Sequence, residues 1–169
     1  ELFRKLKSEF PDNVGIVFQA YLKRTLQDLE NLLDMNSPEN PLNIRLCKGI
    51  YVEPEKIAYK HNHTINKHFL EDLEFLFANN VYPAIATHDK ALIRGALKLI
   101  KKYNKHPHEY EFQMLYGVTP NLRQKLVDEG HTMRVYVPFG EEWFGYSTRR
   151  LKENPKMAMQ IIKALFVSG

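Results

Sequence analysis

Residues able to grip a small anion are concentrated late in the chain, in Glu141-Glu-Trp-Phe-Gly-Tyr146-Ser-Thr-Arg149-Arg150-Leu-Lys-Glu153-Asn-Pro155. At helical spacing Tyr146, Arg149, Arg150 and Glu153 stand at i, i+3, i+4 and i+7 and share one face. A docking helix fills that stripe with Leu and Ile. Here it holds a phenol, two guanidiniums and a carboxylate. Two adjacent arginines present about ten N–H donors between them, and a guanidinium fork meets a carboxylate in two parallel hydrogen bonds. Glu153 can brace Arg149 at i+4 and Arg150 at i+3, acid-after-base being the weaker orientation. An ordinary solvated helix carries similar faces, with ion pairs contributing roughly 0–1 kcal/mol each.

Further polar residues recur where apolar runs end. These are Gln19, then Arg45 to Gly49, then Thr87-His88, then Gln113, then Tyr136. Each run suits a strand, and a parallel barrel carries its chemistry at the C-terminal ends of its strands. Any one of the five could be a strand-end residue meeting solvent; five in the same role point to a site. An arginine inside the otherwise apolar run around Arg45 is costly to bury without an anion or acceptor. Gly49 permits close backbone approach, or simply a turn. Thr87-His88-Asp89 suits a phosphate or ribose contact at a helix start, or plain capping. Cys47 reads as a small buried hydrophobe. His61, His63 and His68 lack the i, i+4 spacing of a helical metal site, and no metal is expected.

The elements that must position these residues follow in order. Strands are expected at residues 14–21, 42–48, 82–88, 110–115 and 133–138. Helices fall between them: one carrying Leu26, Leu29, Leu32 and Leu33 and stopped near Asn36-Ser37-Pro38; a long one from about Pro54 to Asn79-Asn80; one capped by Asp89 and carrying Leu92, Ala96, Leu97 and Ile100; and a short one from Thr119-Pro120 to Gly130. The arginine-bearing helix comes next, and Asn154-Pro155 opens a last amphipathic helix with Ile161, Ile162, Leu165 and Phe166. Strands alternating with helices imply parallel pairing, in a doubly wound sheet or a barrel. No Gly-x-Gly-x-x-Gly turn, Walker loop or Gly-x-Ser-x-Gly elbow is present.

The chain has 169 residues, enough for one domain, with a net charge of +4 spread along the helices rather than gathered in a block, so nucleic acid is not an expected partner. One cysteine excludes an internal disulfide. No apolar run reaches the roughly 18 residues of a membrane span. The first residue is Glu1, and Glu1-Leu-Phe-Arg-Lys-Leu6 reads as the later part of an amphipathic helix, so the chain is taken as a piece of a longer protein.

Six segments resemble bacterial, monofunctional proline dehydrogenase: Gly15-Ile-Val-Phe-Gln-Ala-Tyr-Leu, Arg45-Leu-Cys-Lys-Gly-Ile-Tyr51, Ala86-Thr-His-Asp89, Glu111-Phe-Gln-Met-Leu-Tyr-Gly117, Arg134-Val-Tyr-Val-Pro-Phe-Gly140 and Tyr146-Ser-Thr-Arg-Arg-Leu-Lys-Glu153. The resemblance covers nearly the whole chain, in order. It implies an α/β fold of the (β/α)8 TIM-barrel type, distorted, with residues 1–169 forming its C-terminal portion and these strands resembling the fourth to eighth. It implies noncovalent FAD, oxidation of L-proline to Δ1-pyrroline-5-carboxylate, and a membrane quinone as acceptor. Localisation would be the bacterial cytoplasm, peripheral to the inner membrane. By position, Arg149 and Arg150 resemble the proline carboxylate clamp, and Tyr136 the tyrosine packing on the proline ring. Arg45 resembles the arginine near flavin N5, while Gln19, Lys48, Gly49, Ile50, Thr87 and His88 match flavin-contacting positions. The family's first three strands, with a substrate-contacting lysine and an acidic residue near the flavin, have no counterpart here. Two alternatives stand beside this reading: a barrel lyase using Lys48 as a Schiff-base nucleophile, and a truncated barrel serving as an interaction module.

Overall fold

Alternation of apolar strands and amphipathic helices gives a five-stranded, all-parallel sheet in the order β1-β2-β3-β4-β5. In the computed structural model, residues 1–137 and 139–140 are described. The strands are β1 (Ile16–Gln19), β2 (Asn43–Cys47), β3 (Tyr82–Ala86), β4 (Glu111–Leu115) and β5 (Met133–Tyr136). The helices are α1 (Leu2–Glu9), α2 (Thr25–Glu30), α3 (Asn62–Ala78), α4 (Lys90–Lys102) and α5 (Pro120–Asp128). Each strand pairs with the one before it in sequence. A doubly wound sheet reverses direction at a switch point; this one never does, which is barrel order. Right-handed crossovers that always step the same way lay their helices on one face. The fold is therefore α/β of the TIM-barrel type, and the strands present make up an incomplete barrel.

Register separates the two faces. Ile44 pairs with Pro83, Leu46 with Ile85 and Ile85 with Phe112, and all of these side chains turn toward the helices. Against them α3 presents Phe69, Leu73, Leu76 and Phe77, and α4 presents Leu92, Ile93, Ala96 and Ile100, at the three- and four-residue spacing of a buried stripe. Each of these Phe, Leu and Ile side chains taken from water stabilises the layer by about 1.5–3 kcal/mol. On the opposite face Arg45 pairs with Val17 and Ala84, Ala84 with Glu111, and Gln113 with Arg134. That face is polar.

Two helix boundaries depart from the expectation. The long helix starts at Asn62, not near Pro54. Pro54 initiates a single turn, accepting from the N–H groups of Ile57 and Ala58, and the chain is then drawn across to the segment after β1. There the N–H of Tyr59 donates to Tyr21 O at 2.7 Å and that of Lys23 to Ile57 O at 2.9 Å. Those bonds compete with helix continuation and win. The helix through Leu33 stops instead at Glu30, and Leu33–Met35 forms a separate 3-10 turn. Asp89 caps α4 as expected, its Oδ1 accepting from the Ala91 N–H at 2.8 Å. Thr119 precedes Pro120 with φ 47° and makes no capping bond; its hydroxyl lies 3.8 Å from Met114 Sδ.

Candidate functional site

Strand alternation and parallel register bring Gln19, Arg45, Gln113, Arg134 and Tyr136 to one face of the sheet, the face away from the helices. Arg45 Nε donates to Gln113 Oε1 at 2.9 Å. Gln113 Nε2 donates to Glu111 Oε1 at 2.6 Å. Arg134 closes the chain with a fork, Nε to Oε1 at 2.7 Å and Nη2 to Oε2 at 2.8 Å. The Tyr82 hydroxyl reaches Glu111 Oε2 at 3.4 Å. Glu111 is buried, which pushes its carboxyl upward. The donors of Arg134 and Gln113 outweigh that burial and hold it below the usual carboxylate range. Burial, aided by the neighbouring carboxylate, pushes the Tyr82 phenol up to about 12.

The C-terminal ends of β2 and β3 form a second cluster. Lys48 Nζ lies 3.3 Å from Asp89 Oδ2, and Asn66 Nδ2 donates to the same oxygen at 3.3 Å. Asp89 thus serves the helix start with one oxygen and Lys48 with the other. Burial raises its carboxyl, but the Ala91 N–H, Asn66 and Lys48 prevail and hold it below the ordinary value. A Schiff-base lyase would need the Lys48 amine turned toward a carbonyl substrate; here it lies at ion-pair distance from Asp89. The Thr87 hydroxyl accepts from the Asp89 N–H at 3.1 Å. His88 Nε2 accepts from the Leu115 N–H at 2.9 Å, so Nδ1 carries the proton of the neutral ring. Burial lowers the His88 pKa and favours that neutral form.

Gly49 holds φ +97°, and a Cβ there would stand 2.2 Å from Tyr21 Cδ1. Only glycine lets the chain turn at that point beneath the Tyr21 ring. Ile50 follows it, half-buried. Burial pushes the Cys47 thiol up, and its Sγ faces Phe18 O at 3.5 Å. Tyr136 is exposed at the end of β5. Gln19 supplies a backbone carbonyl to the Thr25 hydroxyl at 2.7 Å. Arg149 and Arg150, with Tyr146 and Glu153, lie outside the described residues. Among the described residues there is no cluster of His, Cys, Asp or Glu that could hold a metal.

Sequence reading brings out Arg45 and Gln113 but passes over Glu111, Arg134 and Tyr82. The signal was available in the two-residue beat. Glu111 precedes Gln113 by two, and Arg134 precedes Tyr136 by two, so each shares the face of a residue already singled out. What sequence lacks is the register that joins residues from three strands.

This donor set suits a large, anionic, hydrogen-bonding ligand such as a flavin dinucleotide. It offers cations at Arg45 and Lys48, amides at Gln19 and Gln113, a hydroxyl at Thr87 and a glycine turn between β2 and the following loop.

Comparison with known proteins identifies a family. A family model described as proline dehydrogenase matches residues 1–162. Proline dehydrogenase 1 of Bacillus subtilis subsp. natto is 35% identical over 164 residues, 97% of this chain and 52% of that protein. Proline dehydrogenase of Deinococcus radiodurans is 35% identical over 98% of this chain and 52% of its own length. The chain spans about half the length of the curated relatives it matches. A crystal structure of proline utilization A from Bdellovibrio bacteriovorus, inactivated by N-propargylglycine, superposes with a TM-score of 0.80 at 30% identity, over 90% of this chain and 18% of that one. Proline utilization A from Corynebacterium freiburgense shares the fold, with a TM-score of 0.74 at 24% identity over 96% of this chain and 20% of that one. With its parallel strands in barrel order, its polar inner face and a family match over residues 1–162, this chain belongs to the proline dehydrogenase family.

Proposed function

We propose that the protein carrying this chain oxidises L-proline to Δ1-pyrroline-5-carboxylate with noncovalent FAD, and that residues 1–169 form the C-terminal part of its catalytic barrel. The observation that carries the reading is that Lys48, Thr87 and His88 follow the C-terminal ends of β2 and β3 in one in-order parallel sheet, whose inner face carries Arg45 and Gln113 at mid-strand. In the reaction L-proline loses a hydride from the ring carbon beside nitrogen and a proton from nitrogen, and the C–N bond becomes C=N. FAD, when bound, supplies two-electron acceptance, and the electrons pass on to a quinone.

The chain's own residues bind and orient. Arg45 presents a fixed positive charge that favours negative charge developing on the reduced ring system. Lys48, held by Asp89, offers a second cation at the end of the same strand. The Gly49-Ile50 backbone, the Gln19 side chain, Thr87 and the neutral His88 complete the flavin-binding wall. Arg149 and Arg150 clamp the proline carboxylate, Tyr136 packs against the ring, and the pair thereby fixes the reacting carbon's position. No helix among the described residues is long and apolar enough to cross a membrane. Peripheral contact with the inner membrane of a bacterium, from the cytoplasm, suits the use of a lipid-borne quinone.

The test uses the full-length protein. It should show a flavin absorption band, release FAD on denaturation, and reduce a dye in a proline-dependent manner. A colourless, correctly folded protein would reject the reading. Arg149→Met or Arg150→Met should raise the Michaelis constant for proline roughly 10- to 150-fold, the worth of a charged hydrogen bond of about 1.5–3 kcal/mol, with FAD binding little changed.

A further inference from the structure

Glu111 is the carboxylate on which the inner-face network closes. It is 3% exposed, yet it accepts from Arg134, Gln113 and Tyr82, residues of three different strands. Its effect on Gln113 is directional. Because the Gln113 amide nitrogen is drawn to Glu111 at 2.6 Å, the amide oxygen must face the other way, where Arg45 Nε donates to it at 2.9 Å. Turning the amide over would set its oxygen against a carboxylate and its nitrogen against a guanidinium, two repulsive contacts in place of two hydrogen bonds. The Arg134 fork balances the charge of Glu111, so the anchor does not itself oppose a neighbouring anion.

We propose that Glu111 is a positioning residue for Arg45. Through the Gln113 amide it fixes the guanidinium on the inner face of the sheet, where a reduced flavin would need a positive charge. The inference rests on the flavin reading above and goes beyond it by assigning a role to a carboxylate buried beneath the inner face. Coulomb energy falls with distance, so a guanidinium free to swing into water stabilises a nearby anion less than one held in place.

The experiment is a redox titration of the flavin in the full-length, flavin-loaded protein against a dye of known potential, with flavin content measured by absorbance. Glu111→Gln should retain flavin but shift the reduction equilibrium toward the oxidised form by about ten-fold, about 30 mV for a two-electron couple. Arg45→Met should shift it in the same direction, and Glu111→Gln should add little in that background. The sign separates this role from simple charge removal: deleting a negative charge near the ring would favour the reduced form. Gln113→Met leaves the Glu111–Arg134 pair intact and should reproduce the shift, which covers the case in which Glu111→Gln fails to fold. A shift toward the reduced form, no shift in either variant, or a full additional shift on top of Arg45→Met would overturn the proposal. If the unaltered protein carries no flavin, the flavin reading falls and this inference with it. If it carries flavin and the variants behave as wild type, only the inference falls.

Discussion

Asp72 on α3 is 2% exposed, and its Oδ2 has no hydrogen-bond donor among the described residues. Burial, with the neighbouring Glu71 carboxylate as a lesser cause, pushes its carboxyl up to about 7. The unfolded chain would titrate that group near 3.9. Between those two values the folded protein binds more protons than the unfolded one, so stability falls as pH rises from about 4 to about 7 and levels off above. Asp72→Asn should remove that slope and stabilise the protein at pH 8 by up to about 4 kcal/mol. Chemical denaturation at pH 5 and pH 8 would check this; equal losses for wild type and variant on going to pH 8 would reject it. Glu111 behaves in the opposite way, because donors from Arg134 and Gln113 surround it. Its carboxyl is held low, so its contribution is present at neutral pH and is lost as pH falls through the depressed value. Two buried acids in one fold thus differ in sign because donors converge on one, while among the described residues the other has an oxygen with none.

At the level of elements, the joint after β2 carries both shape and chemistry. Gly49 holds φ +97° with the Tyr21 ring where a Cβ would go, while Gly130, at φ +84° behind α5, has nothing within 4 Å. Gly130→Ala should cost only the left-handed backbone penalty, about 1–2 kcal/mol. Gly49→Ala should cost clearly more and also weaken FAD retention, because Tyr21 must move and Tyr21 O anchors Tyr59. Thermal unfolding of the two variants side by side would decide, equal losses counting against the Tyr21 account. Asp89→Ala should cost about 0.5–2 kcal/mol through the lost cap, and it also removes the partner of Lys48. The Asp89 cap and the strands were legible because both are local: apolar runs, a capping side chain, a proline at a helix start. The beginning of α3 was not, since Pro54 does open a turn and bonds to the distant Tyr21–Lys23 segment draw the chain out of it. The Glu111 network stayed hidden for the same reason, its partners lying 23 and 29 residues away in sequence.

For the whole molecule, the five strands keep sequence order, and among the described residues β1 and β5 each pair on one side only. Edges of this kind suit a segment of a barrel, and the chain spans about half the length of the curated relatives it matches. The alternation of the two faces has a consequence for how such a protein tolerates change. A substitution survey along β2 and β4 should show a beat of two in thermal stability. Leu46→Ala and Phe112→Ala should lose about 2–5 kcal/mol, whereas Arg45→Met, on an exposed side chain, should stay within about 0.5 kcal/mol. The inner wall can therefore be repainted at its accessible positions, such as 45, 113 or 115, while the oily layer one residue away keeps the scaffold standing; position 111, whose carboxylate is buried, is the exception.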